Sequence, residues 1–465
     1  MLILISALPA LIARSFGAGL TCSWLLTALA AGGMCLQARY EGYRWQMLPA
    51  YALVFALGAA LAAPDGAARR WWVGGVWVVA IIAAGILYGF PLPRVPLPGG
   101  PYAIGTEVRH LVDPTRLETL SREVHGPREV MIQLWYPAAS PRAAQPDKSS
   151  IARRWLGRLV ERPPVRPAPL LNAPIASAQT KYPVLIFSPS WHGQRDQNRF
   201  QVEELVSRGF IVVGIDHPYS STLTIFPDGR KARAGSEDFF DLSSAAALAQ
   251  SITWIGRVLE VRVKDIELVA NELEKAAADG SGDRFSGRLD RERLGVFGYS
   301  FGGAAAAQAC WEDARFKAGM NMGGSMYGEV AEAGIRQPFL FMDDQTPRPT
   351  PAELAPGDSP RRRYAAIVER DYRLEGHSAA TYGSYELQFS GAEHIDFTDP
   401  PARPSWRYYL HDHGAIAPQR AMRTINAYTV AFFSRYLNHS PEPLLDGPSP
   451  AFPEVIFLHR PGHAG

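Results

Sequence analysis

The sequence predicts an α/β protein with a mostly parallel sheet covered by helices on both faces, preceded by an N-terminal bundle of three or four transmembrane helices. Two observations predict this arrangement. Uncharged apolar segments dominate residues 1–90, and short buried strands alternate with helix-favouring runs beyond residue 100. The chain of 465 residues is also long for a single domain, so we expect two regions.

The N-terminal region contains four apolar runs. Gly19–Ala38 and Trp71–Phe90 hold no charged residue, and each is long enough to cross a hydrocarbon core of about 30 Å. Met47–Ala63 is also uncharged but shorter, and Met1–Ala13 is shorter still. These runs predict an integral membrane protein. Because Arg14 follows the first run with no basic residue before it, we expect the large C-terminal region to be extracytoplasmic.

Composition sets the expected domain bounds. We predict transmembrane helices over 1–90, a linker over 91–101 and a catalytic domain over 102–465, with a lid-like insertion at 138–180 that is rich in Pro, Ala and Arg. The linker carries five prolines, whose locked φ angles favour an extended spacer.

Charge and cysteine content exclude several classes of function. The net charge of +2 gives no general attraction to nucleic acid, so no nucleic-acid partner is expected. The three cysteines lie in apolar or helical segments, so no disulfide framework can be read from them and the redox compartment stays open. No Cys/His spacing typical of zinc sites is present, and we predict no metal and no cofactor.

Strand and helix signals alternate in the C-terminal region. The apolar runs Glu129–Tyr136, Pro183–Phe187 and Gly209–Ile215 predict strands, and Phe200–Arg208 predicts a helix between the last two. Alternation of this kind is typical of a mostly parallel sheet.

The sequence Gly298–Gly302 has the pattern G-x-S-x-G, between an apolar run and a helix-favouring run. This context predicts a nucleophile elbow, in which a tight turn between strand and helix exposes the serine hydroxyl above the sheet of an α/β-hydrolase fold. Ser300 is therefore the candidate nucleophile of a serine hydrolase. The alternative is a glycine-rich turn with a surface serine.

A serine nucleophile needs a histidine base, which follows the serine along the chain in this fold. Chain order and setting leave His377, His394 and His459. We favour His394, because it lies in a short loop directly after the predicted strand Tyr385–Phe389, where this fold presents its imidazole.

Several segments resemble platelet-activating factor acetylhydrolases of the plasma and intracellular type II class. They occur in the same order over roughly residues 100 to 440, and the elbow with the following Glu312–Phe316 is the most specific of them. The other segments are Gly100–Gly105, Leu134–Pro137, Leu185–Ser188, Arg208–Val212 and Gln337–Phe341. The N-terminal helices, with Glu41–Gln46, are similar to those of bacterial membrane-bound members.

The resemblance implies roles for individual residues. It assigns the nucleophile to Ser300, the base to His394 and the oxyanion hole to the backbone N–H groups of Phe301 and Trp191. The loop before Trp191 reads Ser-Pro-Ser, where the family usually has a run like His-Gly-Leu-Gly.

The acid of the triad departs from the family pattern. Gly323 stands where the family has its aspartate, and a glycine cannot orient an imidazole. Asp343 and Asp344 follow the next predicted strand, Pro338–Met342, which is the other place where α/β-hydrolases carry this carboxylate. We expect Asp343 to be the acid, with Asp344 as the alternative.

The resemblance implies a calcium-independent esterase that removes short or oxidised acyl chains, at the sn-2 position of glycerophospholipids. The expected partners are a phospholipid or small ester substrate and a membrane. Two alternatives remain: a dienelactone-type hydrolase of small esters, and a membrane-anchored, lipid-binding pseudo-hydrolase without a working acid, for which Gly323 is the reason.

Overall fold

The computed structural model describes residues 20–40, 47–62, 67–89, 95–139, 168–235, 239–278, 280–399, 410 and 412–461. The chain divides into two compact units, one formed by Met1–Pro93 with Pro401–Asp412 and the other by Arg94–Pro400 with His413–Gly465. Of the predicted lid-like insertion at 138–180, residues 140–167 lie outside the described residues. The predicted domain bounds stay a prediction.

The described part of the N-terminal unit consists of three helices, α1 (Leu20–Tyr40), α2 (Leu48–Ala62) and α3 (Ala67–Gly89). Their contacts form a small apolar core, to which each helix contributes a fully or almost fully buried side chain, such as Ala30, Leu53 and Val76.

The prediction of an integral membrane protein with an extracytoplasmic catalytic domain is contradicted. Within the described ranges, no helix combines the length and the apolarity that crossing a bilayer requires. Helix α2 has 15 residues and rises only about 22 Å. The predicted spans were runs of uncharged residues. Gly19–Ala38 and Trp71–Phe90 each include one residue outside the described ranges, and Met1–Ala13 lies wholly outside them. The expected membrane partner has no support in the described helices.

The described part of the second unit is built on a ten-stranded sheet, with a separate two-stranded ribbon. The sheet contains β1 (Ala103–Leu117), β2 (Pro127–Ala138), β3 (Leu170–Leu171), β4 (Tyr182–Ser188), β5 (Ile211–Asp216), β8 (Leu289–Tyr299), β9 (Phe316–Met322), β10 (Phe339–Asp343), β11 (Gly383–Phe389) and β12 (Val455–Pro461). The ribbon pairs β6 (Thr224–Ile225) with β7 (Lys231–Ala232).

The strand order is β12-β11-β10-β9-β8-β4-β5-β2-β1-β3. The six central strands from β11 to β5 run parallel to one another, whereas β12 and β2 pair antiparallel at either side of this group. The carboxyl ends of the parallel strands therefore meet at one edge of the sheet, where ligand sites of such sheets form.

Helices cover both faces of the sheet. The helices of this unit are α4 (Arg199–Ser207), α5 (Ala245–Ala277), α6 (Phe301–Glu312), α7 (Val330–Ala333), α8 (Pro360–Tyr382) and α9 (Pro418–Leu437), with 3₁₀ turns at His394–Phe397 and Pro443–Leu445. Side chains of α5 and α6 enclose one apolar core against the sheet, and side chains of α4 and α9 enclose another on the opposite face. This arrangement confirms the predicted α/β-hydrolase type of sheet.

Each predicted strand overlaps an observed one, with starts that differ by at most two residues, such as Gly209 predicted against Ile211 observed for β5. β4 is buried at all seven positions and β5 at all six. A central parallel strand lies between two helical layers, so it has no solvent-facing side and needs no alternation of polar residues.

Candidate active site

Ser300 lies at a sharp turn between β8 and α6, with φ 56° and ψ −125°. Glycines on both sides permit this turn. A Cβ on Gly298 would lie 2.1 Å from the carbonyl of Gly302, and a Cβ on Gly302 would lie 2.0 Å from the carbonyl oxygen of Ser188. The two glycines of the G-x-S-x-G pattern therefore permit two close backbone approaches that no larger side chain allows.

His394 begins the 3₁₀ turn that follows β11, and its Nε2 lies 3.0 Å from the Oγ of Ser300. The imidazole stacks on the ring of Tyr299 at 5.0 Å between centroids, and the Tyr299 hydroxyl donates a hydrogen bond of 2.9 Å to the carbonyl oxygen of His394. These contacts hold the ring over the serine. The structure thus brings together the two residues predicted as nucleophile and base.

The surroundings of His394 change the pKa of its imidazole. Partial loss of hydration lowers the pKa of His394 below its ordinary value, and the nearby Asp344 carboxylate acts in the opposite direction. The imidazole is therefore neutral at neutral pH, which is the form that can accept a proton from a serine hydroxyl.

The carboxylate that faces His394 belongs to Asp344. Its Oδ2 lies 3.7 Å from Nδ1 of His394, and only 12% of its side chain is exposed. The other oxygen, Oδ1, accepts hydrogen bonds from the backbone N–H of Thr346 at 2.8 Å and from the Thr346 hydroxyl. A loop turn thus fixes one carboxylate oxygen and leaves the other directed at the imidazole, at ion-pair rather than hydrogen-bond distance.

Asp343, the residue expected to be the acid, occupies a different environment. It is the last residue of β10 and lines the cavity beside Ser300. Burial, with Asp344, Glu386 and Asp371 nearby, raises the pKa of Asp343 to about 8. A carboxyl group that is protonated at neutral pH cannot stabilise an imidazolium by charge, so the geometry and electrostatics favour Asp344 over Asp343 as the partner of His394.

Gly323 also approaches the imidazole. Its φ is +60°, and a Cβ built on it would lie 2.8 Å from Nδ1 and 3.0 Å from Cε1 of His394. The position that carries the family's aspartate therefore points at the imidazole in this chain as well, but it presents no side chain. Asp344 approaches the same nitrogen from the neighbouring strand end.

The two residues predicted for the oxyanion hole lie on either side of the elbow. Phe301 is the first residue of α6, and its N–H is one of the first-turn amides that have no acceptor within the helix. Trp191 lies in the loop after β4, and its ring meets the ring of Phe301 edge-on at 5.3 Å between centroids.

A cavity of about 400 Å³ opens beside Ser300, Phe301 and His394. One wall is a face of α8 that the sequence analysis did not identify. It is formed by Tyr364, Ile367, Val368, Asp371, Tyr372 and Glu375. Their spacing of three and four residues is the signal that could have revealed this wall. Phe239 and Phe240 add aromatic surface from the loop before α5.

The carboxyl groups of this cavity are less charged than the sequence suggests. Burial raises the pKa of Asp371 to about 6 and raises the pKa of Glu375 well above its ordinary range. At neutral pH the cavity wall is therefore partly neutral. Across the residues that the structure describes, no group of three or more His, Cys, Asp or Glu side chains is arranged to hold a metal ion.

The two other candidate bases lie away from Ser300. His377 is on α8, where its Nε2 lies 3.1 Å from the carbonyl oxygen of Glu332. His459 is on β12 and stacks on Tyr385 at 4.4 Å between ring centroids.

The chain is similar to known acetylhydrolases and esterases. Residues 100–442 match the model of the family described as platelet-activating factor acetylhydrolase, isoform II. A probable 1-alkyl-2-acetylglycerophosphocholine esterase of Arthroderma benhamiae is 24% identical over 83% of this chain and 99% of its own. The platelet-activating factor acetylhydrolase of Cavia porcellus is 25% identical over 57% of this chain and 60% of its own.

Among solved structures, a ferulic acid esterase from Streptomyces cinnamoneus is similar with a TM-score of 0.57 and 27% identity. The similarity covers 79% of this chain and 99% of that one. This similarity indicates a shared fold. Because the family model matches residues 100–442, well over half of the chain, the chain belongs to the platelet-activating factor acetylhydrolase isoform II family.

Proposed function

We propose that this chain is a serine esterase that hydrolyses short acyl esters through an acyl-enzyme on Ser300. The proposed substrate class is the sn-2 acyl ester of phospholipids that resemble platelet-activating factor or carry oxidised acyl chains. The 3.0 Å contact between Oγ of Ser300 and Nε2 of His394 carries the proposal. A serine hydroxyl becomes an effective nucleophile only when a base within hydrogen-bond reach can take its proton.

Family membership supports the reaction class. The chain is a carboxylic ester hydrolase, as its acetylhydrolase and esterase relatives indicate. The name of the Arthroderma relative specifies an acetyl ester of a glycerophosphocholine, which supports the same class of ester for this chain. The aromatic and partly neutral wall of the cavity suits a short acyl chain better than a charged group.

The first half of the reaction forms the acyl-enzyme. Oγ of Ser300 attacks the ester carbonyl carbon while its proton passes to Nε2 of His394, and the carbonyl oxygen becomes an oxyanion. The imidazolium then gives this proton to the leaving alcohol oxygen as the carbon–oxygen bond breaks. In the second half, water attacks the acyl-enzyme with His394 again as base, and the acid is released.

Asp344 is the proposed orienting acid in place of Asp343. Its Oδ2 lies nearest to Nδ1 of His394, so it holds the ring orientation and stabilises the imidazolium that forms at each step. The present separation of 3.7 Å is longer than a hydrogen bond. Catalytic hydrogen bonds often shorten only when the substrate is bound.

The N–H groups of Phe301 and Trp191 are the proposed oxyanion donors. They belong to the first turn of α6 and to the loop after β4, the two segments that contribute such donors in this fold. Each donor contributes to the transition state rather than to substrate binding, and losing one costs about 10²–10³-fold in kcat.

The test is hydrolysis of p-nitrophenyl esters from acetate to decanoate by the full chain, beside Ser300→Ala, Asp344→Asn and Asp343→Asn. We expect the highest kcat/KM on acetate and a loss of about 10⁴-fold or more in Ser300→Ala. Asp344→Asn should lose about 10³–10⁴-fold, because the amide favours the wrong imidazole tautomer. Asp343→Asn, the matched control, should lose less than about tenfold, since an amide replaces a neutral carboxyl group.

The pH profile sharpens the assignment of the acid. Neutral His394 is the active base, so activity should fall as pH decreases through its pKa, which lies below the ordinary value of 6.5. Asp344 raises the pKa of His394. Asp344→Asn should therefore shift the acidic limb of kcat/KM to lower pH, and Asp343→Asn should not.

Other outcomes would favour the alternatives. A folded chain that hydrolyses none of these esters would favour a lipid-binding pseudo-hydrolase, for which the absence of a side chain at Gly323 is the motivating observation. Preference for a small lactone over every linear ester would favour a hydrolase of the dienelactone type. A larger loss in Asp343→Asn than in Asp344→Asn would contradict the proposed acid.

A further inference from the structure

Arg262, on helix α5, is fully buried beneath the elbow. Burial lowers the pKa of Arg262 to about 9, so it is still a cation at neutral pH. A buried cation is costly unless every donor finds a partner. The partners of Arg262 therefore indicate why a guanidinium occupies this place.

The guanidinium binds the loop that precedes Trp191. Nη1 donates to the carbonyl oxygen of Pro189 at 2.6 Å, and Nη2 donates to the carbonyl oxygen of Ser190 at 3.0 Å. Nε and Nη2 also donate to the hydroxyl of Ser220, at 3.0 and 2.8 Å. Two successive carbonyl groups and one hydroxyl thus fix the planar fork in a single orientation.

The contact with Ser190 has a direct consequence for Trp191. The carbonyl of Ser190 and the N–H of Trp191 belong to one planar trans peptide, in which the two bonds point in opposite directions. Arg262 holds this carbonyl oxygen together with the backbone N–H of Gly193, which donates to it at 2.9 Å, and the two donors therefore set the direction of the Trp191 N–H. A charge-assisted hydrogen bond to that oxygen also polarises the peptide and strengthens its N–H as a donor.

The same guanidinium contacts the other side of the elbow. Its carbon Cζ lies 4.9 Å from the centroid of the Phe301 ring, a cation–π distance. Gly302 allows the start of α6 to approach the loop closely, because a Cβ there would lie 2.5 Å from the carbonyl oxygen of Pro189. Arg262 therefore touches both segments that carry the proposed oxyanion donors.

A buried polar chain fixes the helix that carries Arg262 to the start of the same loop. Oγ of Ser188 lies 3.1 Å from Nε2 of His217, and Nδ1 of His217 lies 2.9 Å from Oδ2 of Asp265, one turn after Arg262. Arg128 donates to both oxygens of Asp265, at 3.1 and 2.6 Å. All of these side chains are at most 1% exposed.

Ser188, His217 and Asp265 have the hydrogen-bond contacts of a catalytic triad, but they cannot act as one. Their side chains are fully buried, so no substrate reaches the Ser188 hydroxyl. Burial, with Arg262 and Arg128 nearby, lowers the pKa of His217 to about 4. The chain Ser188–His217–Asp265–Arg128 is therefore structural.

We propose that Arg262 is a positioning residue for the oxyanion hole, which orients and polarises the Trp191 N–H through the Ser190 carbonyl group and supports Phe301 through its ring. The inference rests on the proposed function, in which these two N–H groups bind the oxyanion. Arg262 does not touch the substrate, so its effect appears in the transition state and not in substrate binding.

The test compares Arg262→Lys and Arg262→Met in the full chain with p-nitrophenyl acetate as substrate. A lysine keeps the charge but cannot bind both carbonyl oxygens in a fork, and a methionine keeps only the volume. We expect kcat to fall about 10-fold and about 100-fold respectively, with KM within about twofold of the unchanged chain.

Inhibition by an alkyl trifluoromethyl ketone provides a second measurement, which would be unchanged if Arg262 had only a structural role. It forms a hemiketal oxyanion on the serine, so its Ki should rise by the same factor as kcat/KM falls. If the thermal unfolding temperature falls while kcat and Ki stay unchanged, Arg262 serves stability alone and the inference is overturned.

Two neighbouring serines supply a matched pair in case both Arg262 variants fail to fold. Ser220→Ala removes the hydroxyl that anchors Arg262, whereas Ser221→Ala removes a buried hydroxyl that accepts from the backbone N–H of His217 at 3.0 Å and does not bind Arg262. We expect kcat to fall about threefold to tenfold in Ser220→Ala and to be unchanged in Ser221→Ala. Equal kcat in the two variants would overturn the inference.

Ser300→Ala separates this inference from the proposed function. Full hydrolysis by Ser300→Ala would overturn the proposed function and this inference with it. Loss of hydrolysis in Ser300→Ala, combined with unchanged kcat in folded Arg262 variants, would overturn this inference alone.

Discussion

The described residues of the second unit include two Ser–His–Asp groups, one buried and one accessible, and only the buried one has its His–Asp contact within hydrogen-bond distance. Ser188, His217 and Asp265 are joined at 3.1 and 2.9 Å. In the accessible group, Ser300 and His394 are 3.0 Å apart, but His394 and Asp344 are separated by 3.7 Å. Hydrogen-bond distance alone therefore does not identify a hydrolytic site.

Solvent access and charge separate the two groups. His217 is fully buried and flanked by arginines, which keeps its imidazole neutral and the Ser188 hydroxyl out of reach. His394 lies at the mouth of a cavity, with 47% of its side chain exposed. Nucleophilic catalysis needs room for a carbonyl carbon next to the serine and donors for the oxyanion, and only the cavity beside Ser300 offers both.

The largest expected difference between the groups is in activity. Ser300→Ala should lower kcat/KM on p-nitrophenyl acetate about 10⁴-fold or more, because it removes the nucleophile. Ser188→Ala should lower the free energy of unfolding by about 1–2 kcal/mol, through one lost buried hydrogen bond, and kcat by no more than about tenfold. Esterase assays and urea denaturation of both variants measure these effects. A greater loss of kcat in Ser188→Ala than in Ser300→Ala would reverse the assignment.

The buried group should matter more for stability. Asp265→Asn removes the charge that Arg128 and His217 bind, so we expect the free energy of unfolding to fall by about 3–5 kcal/mol. Asp283→Asn is the control, since Asp283 pairs with Arg109 where both side chains are about one fifth exposed, and it should cost about 0–1 kcal/mol. Similar losses in urea denaturation of the two variants would disagree with this account.

The accessible group should be sensitive to the space around its imidazole. In Gly323→Ala, the new Cβ would lie 2.8 Å from Nδ1 of His394, so the ring must shift away from Ser300. A displacement of this kind lowers kcat about 10–100-fold. Gly376→Ala is the control, because a Cβ there meets no atom within 4 Å. Steady-state kinetics of both variants would measure this effect. An unaltered kcat in Gly323→Ala would contradict the expected displacement of the imidazole.

The smallest expected effect concerns the carboxyl groups of the cavity. The pKa of Glu375 is raised well above 4.5 by burial, so the folded chain binds a proton that the unfolded chain releases. This contribution to stability is present below pH 4.5 and is lost as pH rises through the pKa of the folded chain. Glu375→Gln should therefore flatten the decline of the unfolding temperature toward alkaline pH.

Glu369→Gln is the control for this effect, because Glu369 lies on the same helix but is bound to Arg348, and its pKa is lowered. Thermal scans from pH 5 to pH 9 would measure both variants. An identical pH dependence in Glu375→Gln and the unchanged chain would count against a protonated Glu375.

The sequence predicted those parts of the site that depend on local backbone geometry. The glycines around Ser300 are required by close backbone approaches, so the G-x-S-x-G pattern is sufficient to predict the turn. His394 follows the strand that places it. The sequence favoured Asp343 over Asp344 as the acid, whereas the structure places an oxygen of Asp344 3.7 Å from Nδ1 of His394. Asp343 ends β10 and Asp344 begins the loop, and neighbouring residues of an extended chain point in opposite directions. A sequence alone does not show which of them faces the imidazole.

Other features depend on contacts between distant parts of the chain. Ser188, His217 and Asp265 come together only because β4 and β5 are neighbours and α5 packs on them. The transmembrane prediction rested on apolar windows and was wrong for the described helices. The cavity wall on α8 had a visible signal, the spacing from Tyr364 to Glu375, which became meaningful only once the helix lay beside Ser300.

The most direct test of the account is the site of covalent labelling by a fluorophosphonate ester. This reagent reacts with an activated serine, and it needs both an accessible hydroxyl and a nearby base. Peptide mapping by mass spectrometry should find the phosphonyl group on Ser300, none on Ser188, and esterase activity lost in proportion to labelling. Complete inactivation with the label on another residue, or full activity with Ser300 labelled, would contradict the account.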